Sequence, residues 1–315
     1  MKLIRGIHNL KEINSNSVVT IGNFDGIHLG HQKLFFNTKK IGQKYDLKTI
    51  IILFEPQPLE FLKKHDAPVR ITQFREKIKR IISYNFDKIL CIKFNKYFSS
   101  LSPEDFIINI LINKLHMKFI VVGNDFKFGF QRNGNIAILK KLGEKYQFKI
   151  IKIKPLYKNN IKVSSTNIRK ALSENNIKLA SLFLGRLFSI YGKVIHGNAI
   201  GRTIGYPTAN ILLNKNFLLN KGVYAVKISF FLNSNKKYIG ISNIGIKPSF
   251  LKSNENIYLE VHLFNININL YRKDIEVFIY KKIRNEKTFN SKEELQNQIF
   301  KDVEIVKKYF NNNRY

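Results

Sequence analysis

Cysteine occurs once in these 315 residues, tryptophan not at all, and proline only seven times. A single thiol, Cys91, excludes an internal disulfide, so a reducing cytoplasm is the expected compartment. Cys91 falls in an apolar run that reads as a strand, where a small buried hydrophobe is the usual role and a catalytic thiol the rarer one. No apolar run approaches the roughly 20 residues of a membrane span. The start, Met1-Lys2-Leu3-Ile4-Arg5-Gly6, lacks the long apolar core of a secretory signal, so neither export nor a membrane partner is expected. Acids are also scarce: Asp+Glu 22 against Lys+Arg 54 gives a formal net charge of +32. Such a surplus points to a polyanionic partner such as nucleic acid. Yet the lysines spread over both halves, and Lys, Asn, Ile and Phe, all with A/T-rich codons, crowd the chain. Compositional drift accounts best for the charge, with nucleic-acid binding as the second hypothesis; no specific nucleic acid is expected.

What is present suits a globular chain: 44% hydrophobic residues and length enough for two domains, with no internal repeat and no low-complexity linker. Through roughly the first 185 residues apolar runs alternate with helical patterns, which predicts a doubly wound, mostly parallel sheet with crossover helices. Strands are expected at Val18–Ile21, Thr49–Phe54, Lys88–Phe94, Phe119–Val122 and Phe148–Lys154. Helices are expected from about His31, over Gln73–Ser83, and from Ser102-Pro103-Glu104-Asp105, where serine caps, proline opens and acids fill the first turn. Two short helices, Asn167–Glu174 and Ile177–Leu184, close this half. Beyond Leu184-Gly185-Arg186 the helical period gives way to strands at Ser189–Ile195, Gly222–Leu232, Tyr238–Asn243, Ile257–Phe264 and Asp274–Tyr280. That pattern predicts a small antiparallel β-barrel, followed by a helix from the capping box Ser291-Lys292-Glu293-Glu294 to about Phe310. The expected domains are 1–184 and 185–315.

Chemistry concentrates at the first strand-to-helix turn, Gly22-Asn23-Phe24-Asp25-Gly26-Ile27-His28-Leu29-Gly30-His31. Glycines let backbone approach a phosphate, a helix amino terminus offers free N–H groups, and two histidines three apart add donors. This suits charge stabilisation at a nucleotide α-phosphate. A bare glycine-rich turn is a weak signal, and a His-x-x-His pair could hold metal, although no Cys or acid nearby has ligand spacing. Later, Asp125, Phe126 and Phe128 stand where a strand of such a sheet ends, and two aromatics beside a polar group suit a flat ring; Phe128 is as well explained as core. Ser164, Ser165 and Thr166 at a helix start, with Arg169 one turn on, form an anion site or, more blandly, a helix cap. In the second half, Gly201-Arg202-Thr203-Ile204-Gly205-Tyr206-Pro207-Thr208-Ala209-Asn210 is a tight loop projecting the oxygens of Thr208 and Asn210, hard ligands that suit Mg²⁺. An ordinary Gly/Pro turn is the alternative.

These strings resemble known ones. His28-Leu29-Gly30-His31 is similar to the HxGH signature of nucleotidyltransferases, and Thr20 to Gln32 resembles the FAD synthetase half of bacterial bifunctional riboflavin kinase/FAD synthetases. Phe54-Glu55-Pro56-Gln57-Pro58, then Gly123-Asn124-Asp125-Phe126-Lys127-Phe128-Gly129 with Arg132 and Gly134, then Ser164-Ser165-Thr166-Asn167-Ile168-Arg169 fit the same branch in order. Each alone is a modest signal; four in order are specific. Gly205-Tyr206-Pro207-Thr208-Ala209-Asn210 resembles the GxPTAN motif of riboflavin kinases, flanked by similar segments at 192–197, 222–225, 243–245 and 259–263.

The resemblance covers nearly the whole chain and implies two reactions: riboflavin plus ATP to FMN and ADP, then FMN plus ATP to FAD and pyrophosphate. It implies His28 and His31 as catalytic in the second reaction. Gly22, Phe24, Gly30, Ser164, Ser165, Thr166 and Arg169 would bind nucleotide there, and Asn23, Asp25, Asp125, Phe126, Phe128 and Arg132 flavin. For the first it implies Glu260 as the base, a carboxylate among Leu259, Val261 and Leu263. Gly201, Thr208 and Asn210 would serve ATP, Thr208 and Asn210 would hold Mg²⁺, and Arg284 would face flavin. The partners implied are flavins and ATP, with at most weak self-association. A transferase for a different phosphate acceptor, its barrel degenerate, is the rival. The chain departs from the family at Lys247-Pro248-Ser249 in place of Arg-Pro-Thr, at Leu187 in place of proline, and at Arg272 in place of a glycine that would permit positive φ.

Overall fold

A computed structural model describes residues 2–10, 15–197, 200–213, 216–230, 236–247, 256–266 and 268–313. The chain divides into two compact units, 1–165 and 166–315. In the first, β1 (Lys2–Arg5), β2 (Ser17–Ile21), β3 (Lys48–Glu55), β4 (Lys88–Lys93), β5 (Met117–Gly123) and β6 (Lys149–Ile153) form one sheet in the order β1-β4-β3-β2-β5-β6. Every pairing in it is parallel. The crossovers carry α1 (Leu29–Lys44), α2 (Pro58–Lys63), α3 (Phe74–Ile82), α4 (Lys96–Ser99), α5 (Pro103–Asp105), which runs on as a π-helix over Phe106–Ile112, and α6 (Ile136–Tyr146).

The unbroken apolar strands follow from burial on both faces. Along β3, Ile50 and Ile52 join one core with Val19, Leu90 and Ile120. Ile51 and Leu53 join another with Phe24, Phe35 and Ile89. Cys91 lies in that second core, its thiol pushed up to about 11 by burial, which makes it an inert packing group. The sequence pattern overlooked β1, a four-residue edge strand paired only through β4, and α6. It also overlooked the small hairpin of β7 (Tyr157–Lys158) and β8 (Ile161–Lys162), turned by Asn159 and Asn160 at φ 50° and 59°.

The second unit carries α7 (Ser165–Ser173), whose first residue ends the first unit, and α8 (Ile177–Leu184). Its centre is a closed barrel of β9 (Ser189–Ile195), β10 (Ala209–Leu213), β11 (Gly222–Ser229), β12 (Tyr238–Lys247), β13 (Asn256–Leu263) and β14 (Asp274–Arg284). The strands close in the order β10-β13-β12-β11-β14-β9, all antiparallel. A short helix α9 (Ile200–Thr203) precedes β10. The long α10 (Lys292–Asn312) starts where Ser291 caps the N–H of Glu294 at 3.1 Å and lays Val303, Val306 and Phe310 on Val223, Ala225 and Ile241. The tight loop expected through Asn210 ends earlier than supposed: Ala209 and Asn210 already belong to β10, paired with β13. Among the departures, Lys247 closes β12, Leu187 packs on the barrel core, and Ser249 lies outside the described residues.

Candidate active sites

From β2 the sheet continues through β3 and β4 on one side and through β5 and β6 on the other, so a crevice opens at the carboxyl ends of β2 and β5. The turn 22–28 leaves β2 at that point. Its backbone is left-handed at Phe24 (φ 47°), Gly26 (φ 84°) and Ile27 (φ 44°), strained positions for two bulky residues. Packing holds them there: Phe24 and Ile27 are each 1% exposed. The Phe24 ring therefore belongs to the core. Asp25 is buried too, accepting from the N–H groups of Ile71 at 3.0 Å and Thr72 at 3.1 Å. Its carboxylate thus ties the turn to the 71–72 segment. Asn23 is partly exposed, and its carbonyl accepts from Lys77 Nζ at 2.8 Å.

His28 caps α1, its Nδ1 accepting the His31 N–H at 3.3 Å, which leaves the proton of the neutral ring on Nε2. The two imidazoles stack with centroids 3.5 Å apart, and Phe24 meets His31 edge-on. Burial, then the neighbouring His28 imidazole and the Lys77 ammonium, hold the His31 pKa well below its ordinary value, so this ring is neutral at pH 7. Its Nδ1 has no protein hydrogen-bond partner. Room at Gly30 is tight: a Cβ there would stand 3.0 Å from the His28 ring. Ser165 Oγ donates to the Asp25 carbonyl at 2.9 Å, drawing the 164–165 segment to the turn. Thr166 is exposed and Arg169 partly buried, both on α7.

After β5, Asp125 is exposed and paired with Lys162 of β8 at 2.8 Å, which holds its carboxyl below the usual range. Phe126 and Phe128 stack at 5.3 Å. Phe128 is core, so Phe126 is the ring with free surface and Phe128 its support. Arg132 is exposed, with φ 61°. Among the described residues no group of three or more His, Cys, Asp or Glu is placed to hold a metal.

In the barrel unit a cavity of about 420 Å³ opens against β11, β12, β13 and α10. Burial alternates along β13: Leu259, Val261 and Leu263 point into the barrel, while Glu260 and His262 line the cavity. Thr208 and Gly201 line it as well, with apolar walls from Val223, Ile241, Phe289 and Leu295. Asn210 stands opposite Glu260 in register, buried rather than lining, its amide so close to Gly197 that a Cβ there would lie 2.4 Å from Nδ2. His262 Nδ1 meets the Pro207 carbonyl at 2.9 Å, pinning the loop before Thr208, and burial lowers its pKa. Arg284 lines the cavity with its guanidinium held by Asp302 of α10, Nε to Oδ2 at 2.9 Å and Nη2 to Oδ2 at 2.8 Å.

The sequence reading missed Lys77, Asp302 and His262. The first two had a signal available: each is a charge beside apolar residues of a buried helix face, Ile78 and Ile81 in α3 and Val303 and Val306 in α10.

Two family models match the chain, FAD synthetase over residues 10–167 and riboflavin kinase over residues 184–310. The bifunctional riboflavin kinase/FMN adenylyltransferase of Buchnera aphidicola subsp. Acyrthosiphon pisum is 76% identical over 99% of each chain. That of Escherichia coli K12 is 41% identical over 98% of each. The crystal structure of a macrolide-efflux protein from Streptococcus pneumoniae is similar with TM-score 0.80 and 30% identity, over 97% of this chain and 98% of that one. No helix among the described residues is long and apolar enough to cross a membrane. Both halves of the chain, in this order, place it in the bifunctional riboflavin kinase/FMN adenylyltransferase family.

Proposed function

We propose that riboflavin is phosphorylated at the barrel cavity and that the resulting FMN is adenylylated at the switch-point crevice. What supports this is that the 22–31 turn of the first unit and the barrel cavity of the second each carry polar groups suited to one of the two reactions. At the barrel, Glu260 takes the proton of the ribityl 5′-hydroxyl as its oxygen attacks the γ-phosphorus of ATP, and ADP leaves. The apolar walls suit the isoalloxazine, and Arg284, fixed by Asp302, faces it. Thr208 lines the cavity beside Glu260 and Asn210 stands opposite Glu260 in register, so their oxygens would offer Mg²⁺ hard donors. The ion, when bound, neutralises phosphate charge.

At the crevice an FMN phosphate oxygen attacks the α-phosphorus of ATP, and the bond to the departing pyrophosphate breaks. No protein nucleophile is required. His28, through Nε2, and neutral His31 donate hydrogen bonds to the phosphate as charge builds, with Gly22, Gly30 and the α1 amino terminus close to it. Ser164 and Ser165 take the remaining phosphates. Phe126 stacks on the flavin, with Asn23, Asp125 and Arg132 around it. We assign adenylyl transfer to residues 1–184 and the kinase to 185–315, supported by a riboflavin kinase match that begins at residue 184. A single buried thiol agrees with a cytoplasmic setting.

The test is a separation of activities. His28→Ala or His31→Ala loses FAD formation and keeps FMN formation. Glu260→Gln loses about 10²–10⁴-fold in FMN formation and still converts supplied FMN to FAD. Equal loss of both activities in a folded variant overturns the assignment.

A further inference from the structure

Lys77 lies on α3 with no exposed surface, beside the apolar Ile78 and Ile81. A buried ammonium is costly unless it is paired, so its partner is informative. Its hydrogen bond goes to the Asn23 carbonyl, at 2.8 Å, in the turn that carries the HxGH histidines. The acids around it have other bonds: Glu55 and Glu60 both hold Arg70, and Asp25 holds the Ile71 and Thr72 amides. Among these groups, the cation that reaches the backbone of the turn is Lys77.

We infer that Lys77 is a positioning residue for adenylyl transfer, fixing from beneath the strained backbone that presents Asn23, His28 and His31 to the nucleotide and placing a buried positive charge behind it. This rests on assigning that turn to adenylyl transfer. The charge has a readable consequence. Lys77 is one of the groups that depress the His31 pKa, with burial and His28. The groups facing His31 are His28 from its own turn and Lys77 from α3; Asp25, Glu55, Glu60 and Arg70 in turn face Lys77. Without the Lys77 charge the His31 pKa rises. If the neutral ring is the working form, activity lost as pH falls is then lost at higher pH.

Lys77→Met removes the hydrogen bond and the charge; Lys77→Gln keeps a donor for the Asn23 carbonyl and removes the charge. FMN formation at the barrel, measured in the same samples, reports on folding. For Lys77→Met, kcat for FAD formation falls about 10²-fold, as for a misplaced reacting group, with KM for FMN and ATP changed far less. For Lys77→Gln, kcat at alkaline pH recovers toward wild type while the acid limb of the pH profile moves to higher pH. Should Lys77→Met not fold, the Lys77→Gln pH profile decides alone. An unmoved acid limb, or FAD and FMN formation falling together, overturns the inference. His31→Ala separates the two levels: if it leaves FAD formation intact, the site assignment itself is wrong; if it abolishes it while Lys77→Gln leaves the profile unmoved, only the role of Lys77 fails.

Discussion

Left-handed backbone at non-glycine residues recurs along the chain, and two of its occurrences have opposite meanings. At Phe24 and Ile27 it lies in the candidate adenylyl-transfer turn, held by core packing and by the bonds of Asp25 and Lys77. Packing and these bonds together keep the strain in place. At Arg272 (φ 62°) the side chain is exposed, and the backbone is held by one bond from its N–H to the Val194 carbonyl at 2.9 Å. The family glycine would meet no Cβ penalty there. Arg272→Gly is expected to stabilise the barrel by about 1 kcal/mol, since the αL cost of roughly 1–2 kcal/mol outweighs the extra freedom glycine has in the unfolded chain. Denaturant midpoints of the two proteins measure it, and an unchanged or lower midpoint refutes it.

Helix α10 packs on the barrel through Val303, Val306 and Phe310, yet the same stripe contains Asp302, 2% exposed. Its partners are Arg284 and Gln298. The pair fixes the helix against β14 and aims a cavity-lining guanidinium. Asp302→Ala leaves Arg284 largely buried and uncompensated, an expected loss of about 3 kcal/mol. The riboflavin KM should rise, while supplied FMN is still adenylylated. Replacing both partners by apolar groups, Arg284→Met with Asp302→Leu, should recover much of that stability but not riboflavin affinity. If melting shows the double variant no more stable than the single one, the ion pair is not what α10 depends on here.

The two units are unequal to the pattern switch near residue 184. Helices α7 and α8 fall within the barrel unit. The Tyr224 hydroxyl, on a fully buried side chain, bonds Asn175 Oδ1 at 2.9 Å and the Asn220 carbonyl, and burial pushes its pKa upward. Asn220 Nδ2 reaches the Ser173 carbonyl, and Ser181 Oγ accepts the Phe188 N–H at 3.0 Å. A fragment of residues 166–315 should therefore fold and phosphorylate riboflavin. One of residues 185–315 should melt several degrees lower, because about 1–3 kcal/mol attaches to each buried polar group left unpaired. Equal melting temperatures would show that α7 and α8 add nothing to the barrel. The +32 charge also has a place in this unit. Lys227 lies over Phe310 at 5.1 Å and Lys237 over Phe278 at 4.3 Å, so two of the lysines rest on aromatic faces.

Sequence by itself determined the two fold classes, the motif turns and the family, because apolar period, capping residues and glycine-rich turns act within a few residues of themselves. Thus Val18–Ile21, Ser102-Pro103 and Ser291 lie where their local chemistry put them. The tertiary structure alone decided which polar groups serve the fold and which face the sites. Asp25 was legible as a motif residue, but its partners stand 46 and 47 residues on, those of Asn23 54 and of Ser165 140 residues away. β10 was hidden inside the Thr208–Asn210 string because its pairing with β13 is as distant. A buried charge is tolerated only with a partner, and that partner is chosen by the order in which strands and helices pack, which no local pattern encodes.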